Sequence, residues 1–278
     1  MVQHSVVAPS VQATVLAHYE RVADLIAANF PLAPVIPVYY PDGLDAAPHY
    51  GGCVHDDQPL PATVPTVQVA FPNHPRRYVA ATADSLLWLV HRGAIDICSW
   101  TPNSHDPDRL GYARIILSPR GGATHEHVAF AMLALRTMLL QYGVEAIPVL
   151  AGSAGAALFI PFNDAPAYDA VRTWLHEVVN AAVAHSSTLI TADSHDHKSK
   201  RVHANVGSNA PGRNSSLPYA LIGSTHLGMV TPIHWNELGT VENGHFTATN
   251  SGERLTEGDI FYRLARELHA QRFGDGPR

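Results

Sequence analysis

The residues with the most evident chemistry are histidines, acids and a short basic run. Asp193-Ser194-His195-Asp196-His197 falls on an expected loop, where spacing restricts ligand geometry little. With His203 or His185 nearby it offers a His/Asp metal site, although no zinc-type spacing accompanies it and a solvated polar loop explains the same residues. His125-Glu126-His127 opens an expected helix, where residues two apart point to different sides, so joint ligation is not expected. Lys198-Ser199-Lys200-Arg201 is the tight basic cluster, able to touch phosphate and equally at home as a solvated loop. Ser118 and Ser153 are nucleophiles by type, but neither has a neighbouring base or a nucleophile-elbow context. Ala151-Gly152-Ser153-Ala154-Gly155 can cradle a phosphate or simply turn between strands, and it lacks a lysine. Cys98, two residues from Trp100, reads as a small core residue.

The bulk composition narrows the partners. The 278 residues carry 18 basic against 24 acidic side chains, a formal charge of -6, and 46% are hydrophobic. That length can bury a substantial core. Proteins that grip nucleic acid through its phosphates usually carry a basic surplus, so the charge lowers the expectation of DNA binding without excluding a local patch. Two cysteines make no disulfide framework, and there is neither a charged-then-apolar leader nor a bilayer-length apolar run. A soluble, cytoplasmic protein with no membrane partner is the expectation.

Positioning these groups requires mixed elements. Val15, Tyr19, Val22 and Ile26 recur at helical spacing over about 14–29. The proline-broken segment 34–40 predicts an edge strand, followed by a turn at Pro41-Asp42-Gly43. Thr82 and Thr124 are expected N-caps of helices stopped by Gly93 and Gly143. Strands are expected at 114–117, 146–150, 156–160, 202–206 and 219–222. A helix opened by Asp164 and Pro166 carries Val171, Trp174, Val178 and Ala182 on one face. A last helix runs over about 259–271, with Ile260, Leu264 and Leu268 inward. Strands and helices in this irregular order predict an α+β domain, read here as one unit over 1–278.

Five segments, in order, carry a resemblance. Tyr39-Tyr40-Pro41-Asp42-Gly43-Leu44-Asp45, Asp84-Ser85-Leu86-Leu87-Trp88-Leu89 and Ile95 to Trp100 are followed by Leu217-Pro218-Tyr219-Ala220-Leu221 and Thr231-Pro232-Ile233-His234-Trp235-Asn236-Glu237-Leu238. Together they resemble the polymerase domain of bacterial ligase D, of the archaeo-eukaryotic primase-polymerase fold, over roughly residues 14–240. The resemblance implies mixed sheets flanked by helices and a setting in DNA repair by non-homologous end joining, with DNA ends or end-joining proteins as partners.

It also implies a two-metal nucleotidyl-transfer site built from three aspartates, because hard divalent cations need carboxylate oxygens. The family's Phe-Asp-Leu-Asp-Pro motif falls on Ile115-Ile116-Leu117-Ser118-Pro119, and its third acid falls on Asn205. The family's Ser-Gly-Gly-Lys-Gly-Leu-His loop falls on Ala151 to Ala157 and loses its Ser, Lys and His. The Arg after Pro-Tyr-Ser-Leu becomes Ile222, and the His of His-Pro-Trp becomes Cys98. The expectation is therefore a degenerate polymerase-like protein with no catalytic residue, no assigned nucleotide contact, no cofactor and no divalent metal at the old site. Its remaining DNA contacts would come from Lys198, Lys200 and Arg201. The alternative is a repurposed cleft that takes a small molecule or a metal held by His195, His197 or His203.

Overall fold

The computed structural model describes residues 5, 7–55, 59–71 and 73–273, with the side chain of Ser153 outside that set. In chain order its helices are α1 (Pro9–Asn29), α2 (Ala83–His91), α3 (His125–Gln141), α4 (Tyr168–His185), α5 (Ser251–Leu255) and α6 (Ile260–Glu267). Its strands are β1 (Pro34–Tyr39), β2 (His49–Tyr50), β3 (Thr66–Val69), β4 (Arg76–Ala80), β5 (Asp96–Ser99) and β6 (Tyr112–Pro119), then β7 (Ile147–Leu150), β8 (Ala156–Pro161), β9 (Ile190–Thr191), β10 (Val202–Asn205), β11 (Ser215–Ser216) and β12 (Thr231–Pro232). The α+β expectation holds. Among the described residues no helix is long and apolar enough to cross a membrane.

The chain divides into two compact units, each assembled from three separate stretches. The first comprises residues 1–108, 214–230 and 246–259. Its sheet has the order β11-β5-β1-β4-β3, with β2 paired to β1. Val15, Tyr19, Val22 and Ile26 of α1 are fully buried, as their helical spacing requires, and α1 packs against α2. Helix α1 starts earlier than expected, at Pro9, where a proline's missing N–H costs nothing. Thr82 caps α2 by accepting from the Ser85 N–H at 3.2 Å.

The segment expected at a sheet edge is a central strand instead. β1 pairs with β5 on one side and with β4 and then β2 on the other. Pro34 is its first residue. Pro37 falls between the β4 pairs at Pro34 and Val35 and the β2 pairs at Val38 and Tyr39, so its absent N–H breaks no ladder bond on that side. The strand expected at 219–222 reduces to an isolated bridge between Leu221 and Met229, because Tyr219 adopts a φ of 71° that bends the chain out of extended geometry.

The second unit comprises residues 109–213, 231–245 and 260–278. Its sheet runs β12-β7-β8-β6-β10-β9. Alternate residues Ala113, Ile115 and Leu117 of β6 are fully buried, and α3 packs against β6, β10 and α4. Helix α4 begins at Tyr168 rather than at Asp164 or Pro166, since Ala167 is still extended at ψ 141°. At the C-terminal helix α6, Ile260 and Phe261 are the buried pair, and Leu264 and Leu268 are only half-buried.

Candidate functional site

The candidate site lies on the other face of the second unit's sheet. Ile116 and Ser118 are two apart on β6 and therefore share a face. Across the antiparallel ladder Ile116 is the direct partner of Asn205 and Ser118 of His203. Directly opposed residues project to the same side, so register alone gathers all four onto one patch. On the neighbouring strand Ala157 stands opposite Ile116 and extends the patch with a methyl group.

The chemistry of this patch is neutral. Ile116 offers no donor atom. Ser118 is a half-buried hydroxyl, and Asn205 is exposed, with its Oδ1 accepting from the Gly207 N–H at 2.8 Å. His203 is buried, and its pKa is held below the usual histidine value, first by that burial and then by the Arg120 guanidinium. As a donor set for a pair of divalent cations these residues do not fit, because no carboxylate oxygen comes from the three positions.

The turn beside this patch is shaped by contact with β6. Residues Gly152–Ala154 form a single 3₁₀ turn closed by the Gly155 N–H to the Gly152 carbonyl at 3.0 Å. Gly155 has a φ of 110°, and a Cβ placed there would lie 1.9 Å from the Leu117 carbonyl oxygen. A glycine is required at this approach. Its own carbonyl accepts from Ala151 N at 2.9 Å and from Asn243 Nδ2 at 2.7 Å. The turn is thus closed by its own backbone and by the Asn243 side chain, and lies tight against β6 at Gly155, while Ala151 and Ala154 contribute no polar side chain to it.

The basic run sits at the far end of the same ladder. The Arg120 N–H donates to the Arg201 carbonyl at 2.9 Å, and the loop at Gly121 rests on Lys198 and Ser199. Arg201 is fully engaged: it pairs with Asp196, donates to Ser199 Oγ at 3.0 Å and to the Ser187 carbonyl at 3.1 Å. Lys198 and Lys200 are exposed. Sequence reading missed Arg120, whose place beside Lys198 depends on strand pairing across nearly eighty positions.

The histidine-rich loop leaves the imidazoles of His195 and His197 in solvent. His195 is 92% exposed beside Asp193, His197 is exposed, and His203 lies on the ladder. Among the described residues no group of three or more His, Cys, Asp or Glu side chains can hold a metal ion. His127 instead caps α3, its Nδ1 accepting from the Thr124 N–H at 3.2 Å.

Two polar groups of the first unit also escaped the sequence reading. Asp96 is buried with Cys98 and Ser216 as hydrogen-bond partners, and His18 is buried between Ser251 Oγ and the Tyr219 carbonyl, each at 2.9 Å. Asp96 stood within the matched segment 95–100, which was a usable signal. His18 had none, since a histidine at a helical position does not announce partners more than 200 residues away.

Residues 12–261 match the family model of the LigD primase-polymerase domain. The multifunctional non-homologous end joining protein LigD of Mycolicibacterium smegmatis is 22% identical over 187 residues, covering 66% of this chain and 24% of that protein. The LigD of Mycobacterium tuberculosis is 22% identical over 193 residues, covering 66% of this chain and 25% of that protein. The chain thus spans about a quarter of the length of these curated relatives. The solved polymerase domain from Mycobacterium tuberculosis ligase D, in complex with DNA, superposes with a TM-score of 0.82 at 18% identity, covering 96% of each chain.

Proposed function

Because the chain belongs to the LigD primase-polymerase domain family, we propose that it is a member without nucleotidyl-transfer activity that binds DNA ends in non-homologous end joining. The observation that carries this reading is the ladder face on which Ile116, Ser118 and Asn205 stand together with no carboxylate among them. In two-metal catalysis divalent cations stabilise the attacking and leaving oxygens and carboxylates hold those cations, a ligand role that an aliphatic, a hydroxyl and an amide cannot replace. The DNA part of the reading is supported by the relatives' involvement in end joining and by the DNA held in the superposing structure. Lys198 and Lys200 supply exposed charge on this chain, beside Arg120.

The test pairs two assays on the whole chain. Fluorescence anisotropy with a 5′-phosphorylated gapped duplex should show saturable binding that weakens steeply with salt. Primer extension with manganese and either ribo- or deoxynucleotides should show no product. Template-dependent extension that is abolished by a change at Ser118 or Asn205 overturns the reading. Absence of binding even at low salt removes its DNA part and favours a small-molecule role for the same face, which the net charge of -6 would suit.

A further inference from the structure

A concavity lies within the second unit, between the first half of α3 and the segment 238–243, and none of the ladder-face residues lines it. Its volume is about 450 Å³, within the roughly 300–1,000 Å³ typical of small-molecule sites. The walls are mainly aliphatic and aromatic, including Phe130, Leu133, Leu150 and Val241. Phe130 and Leu133 are 52% and 41% exposed, although large apolar side chains on a helix are ordinarily turned inward. Two carboxylates, Glu126 and Glu242, also line the space with His125, and among the described residues no lysine or arginine does. Asn243 closes one side and is anchored by its 2.7 Å hydrogen bond to Gly155, so the wall is built rather than loose.

From this lining we infer a binding site for an organic cation: an apolar, preferably aromatic body seated against Phe130 and Leu133, with an ammonium group facing Glu126 and Glu242. The apolar body gains from leaving water. The charge preference follows from two carboxylates that face no lysine or arginine among the described lining residues, the one other ionisable group being the His125 imidazole. The site requires no residue of the ladder face, so it stands whether or not that face binds DNA.

The experiment compares 2-(1-naphthyl)ethylamine with 1-naphthylacetate, which share an aromatic body and differ in charge. Each is titrated into the full chain at low salt and followed by naphthalene fluorescence anisotropy. The amine should bind saturably and at least about tenfold more tightly than the acid. The double variant Glu126→Gln/Glu242→Gln should bring that ratio close to one. Ala129→Trp, which fills the space from a half-buried lining position, should abolish binding of both probes. Should that variant fail to fold, Phe130→Ser, at an exposed position, should weaken both probes at least about fivefold with an unchanged far-UV spectrum. Equal affinity for the two probes, absence of saturable binding, or amine binding indifferent to these variants would overturn the assignment.

Discussion

The Asp96 carboxylate accepts a 2.8 Å hydrogen bond from the Ser216 hydroxyl, across the paired strands β5 and β11. Both side chains project from one face, since Ser216 is the register partner of Cys98, two residues from Asp96. The Cys98 thiol is a second, weaker donor at 3.7 Å. Burial dominates and pushes the Asp96 pKa up to about 7, against the pull of Ser216, Cys98 and the Ile97 N–H.

A carboxyl with a raised folded pKa stabilises the protein below its unfolded value near 3.8, and that stability drains away as pH rises toward about 7. At about 1.4 kcal/mol per pH unit the loss is roughly 4 kcal/mol. Asp96→Asn should remove this dependence. Urea unfolding of both proteins from pH 4 to pH 8 should show the variant gaining relative to the parent up to about pH 7 and levelling off above it. A flat difference across that range would mean that Asp96 does not titrate there.

His18 acts in the opposite direction. Its pKa is lowered to about 4, chiefly by burial, so the folded state resists protonation that the unfolded chain accepts from about 6.5 downward. Stability present above pH 6.5 is lost between about 6.5 and 4, by roughly 3 kcal/mol. His18→Gln, which can still donate to the Tyr219 carbonyl, should remove this loss, so the variant gains stability relative to the parent as pH falls from about 6.5 to about 4. Because Asp96 gains where His18 loses, the parent profile between pH 4 and 6.5 should be flatter than that of either single variant.

Gly155→Ala should be costly although it adds one methyl. The position combines a φ of 110° with a backbone oxygen 1.9 Å from the new Cβ, and backbone cannot swing aside as a side chain does. A loss of about 3 kcal/mol in urea unfolding is expected. A loss below about 1 kcal/mol would show that the turn and β6 separate easily.

Lys198→Ala with Lys200→Ala should weaken duplex binding uniformly across sequences and reduce the salt slope by about 2. Arg201→Ala should act mainly on stability, because its guanidinium is held by Asp196, Ser199 and Ser187. An Arg201 variant that loses DNA affinity as strongly as the lysine pair, with unchanged melting temperature, would contradict this division.

The triple change Ile116→Asp, Ser118→Asp, Asn205→Asp should create a cation site where none fits at present. Without metal the three acids repel and lower the melting temperature, and manganese should raise it again in a dose-dependent way. No primer extension is expected from this variant, since Ala154 and Ala157 still stand where the family has Lys and His. The same melting temperature with and without manganese would mean that the three side chains do not converge.

Much of the architecture was legible because burial follows period. The α1 residues spaced for one face are all fully buried, and the caps at Thr82 and Thr124 lie where their side chains suggested. Pro37 misled because a proline signals an edge only when its neighbours on both sides are known, and β2 and β4 come from different distances along the chain. Ile116, Ser118 and Asn205 could be singled out through resemblance, but only pairing in register places them on one face. The cavity beside α3 was invisible for the same reason. Residues 125–133 read as an ordinary helix start, and the opposite wall arrives more than a hundred residues later.

The register of β6 against β10 has an evolutionary consequence. Its hydrogen bonds join backbone atoms, which are indifferent to the side chains carried at 116, 118 and 205. Those positions can drift without moving the scaffold, so chemistry on this face is separable from foldability. Chemical change on this face therefore meets little resistance from stability.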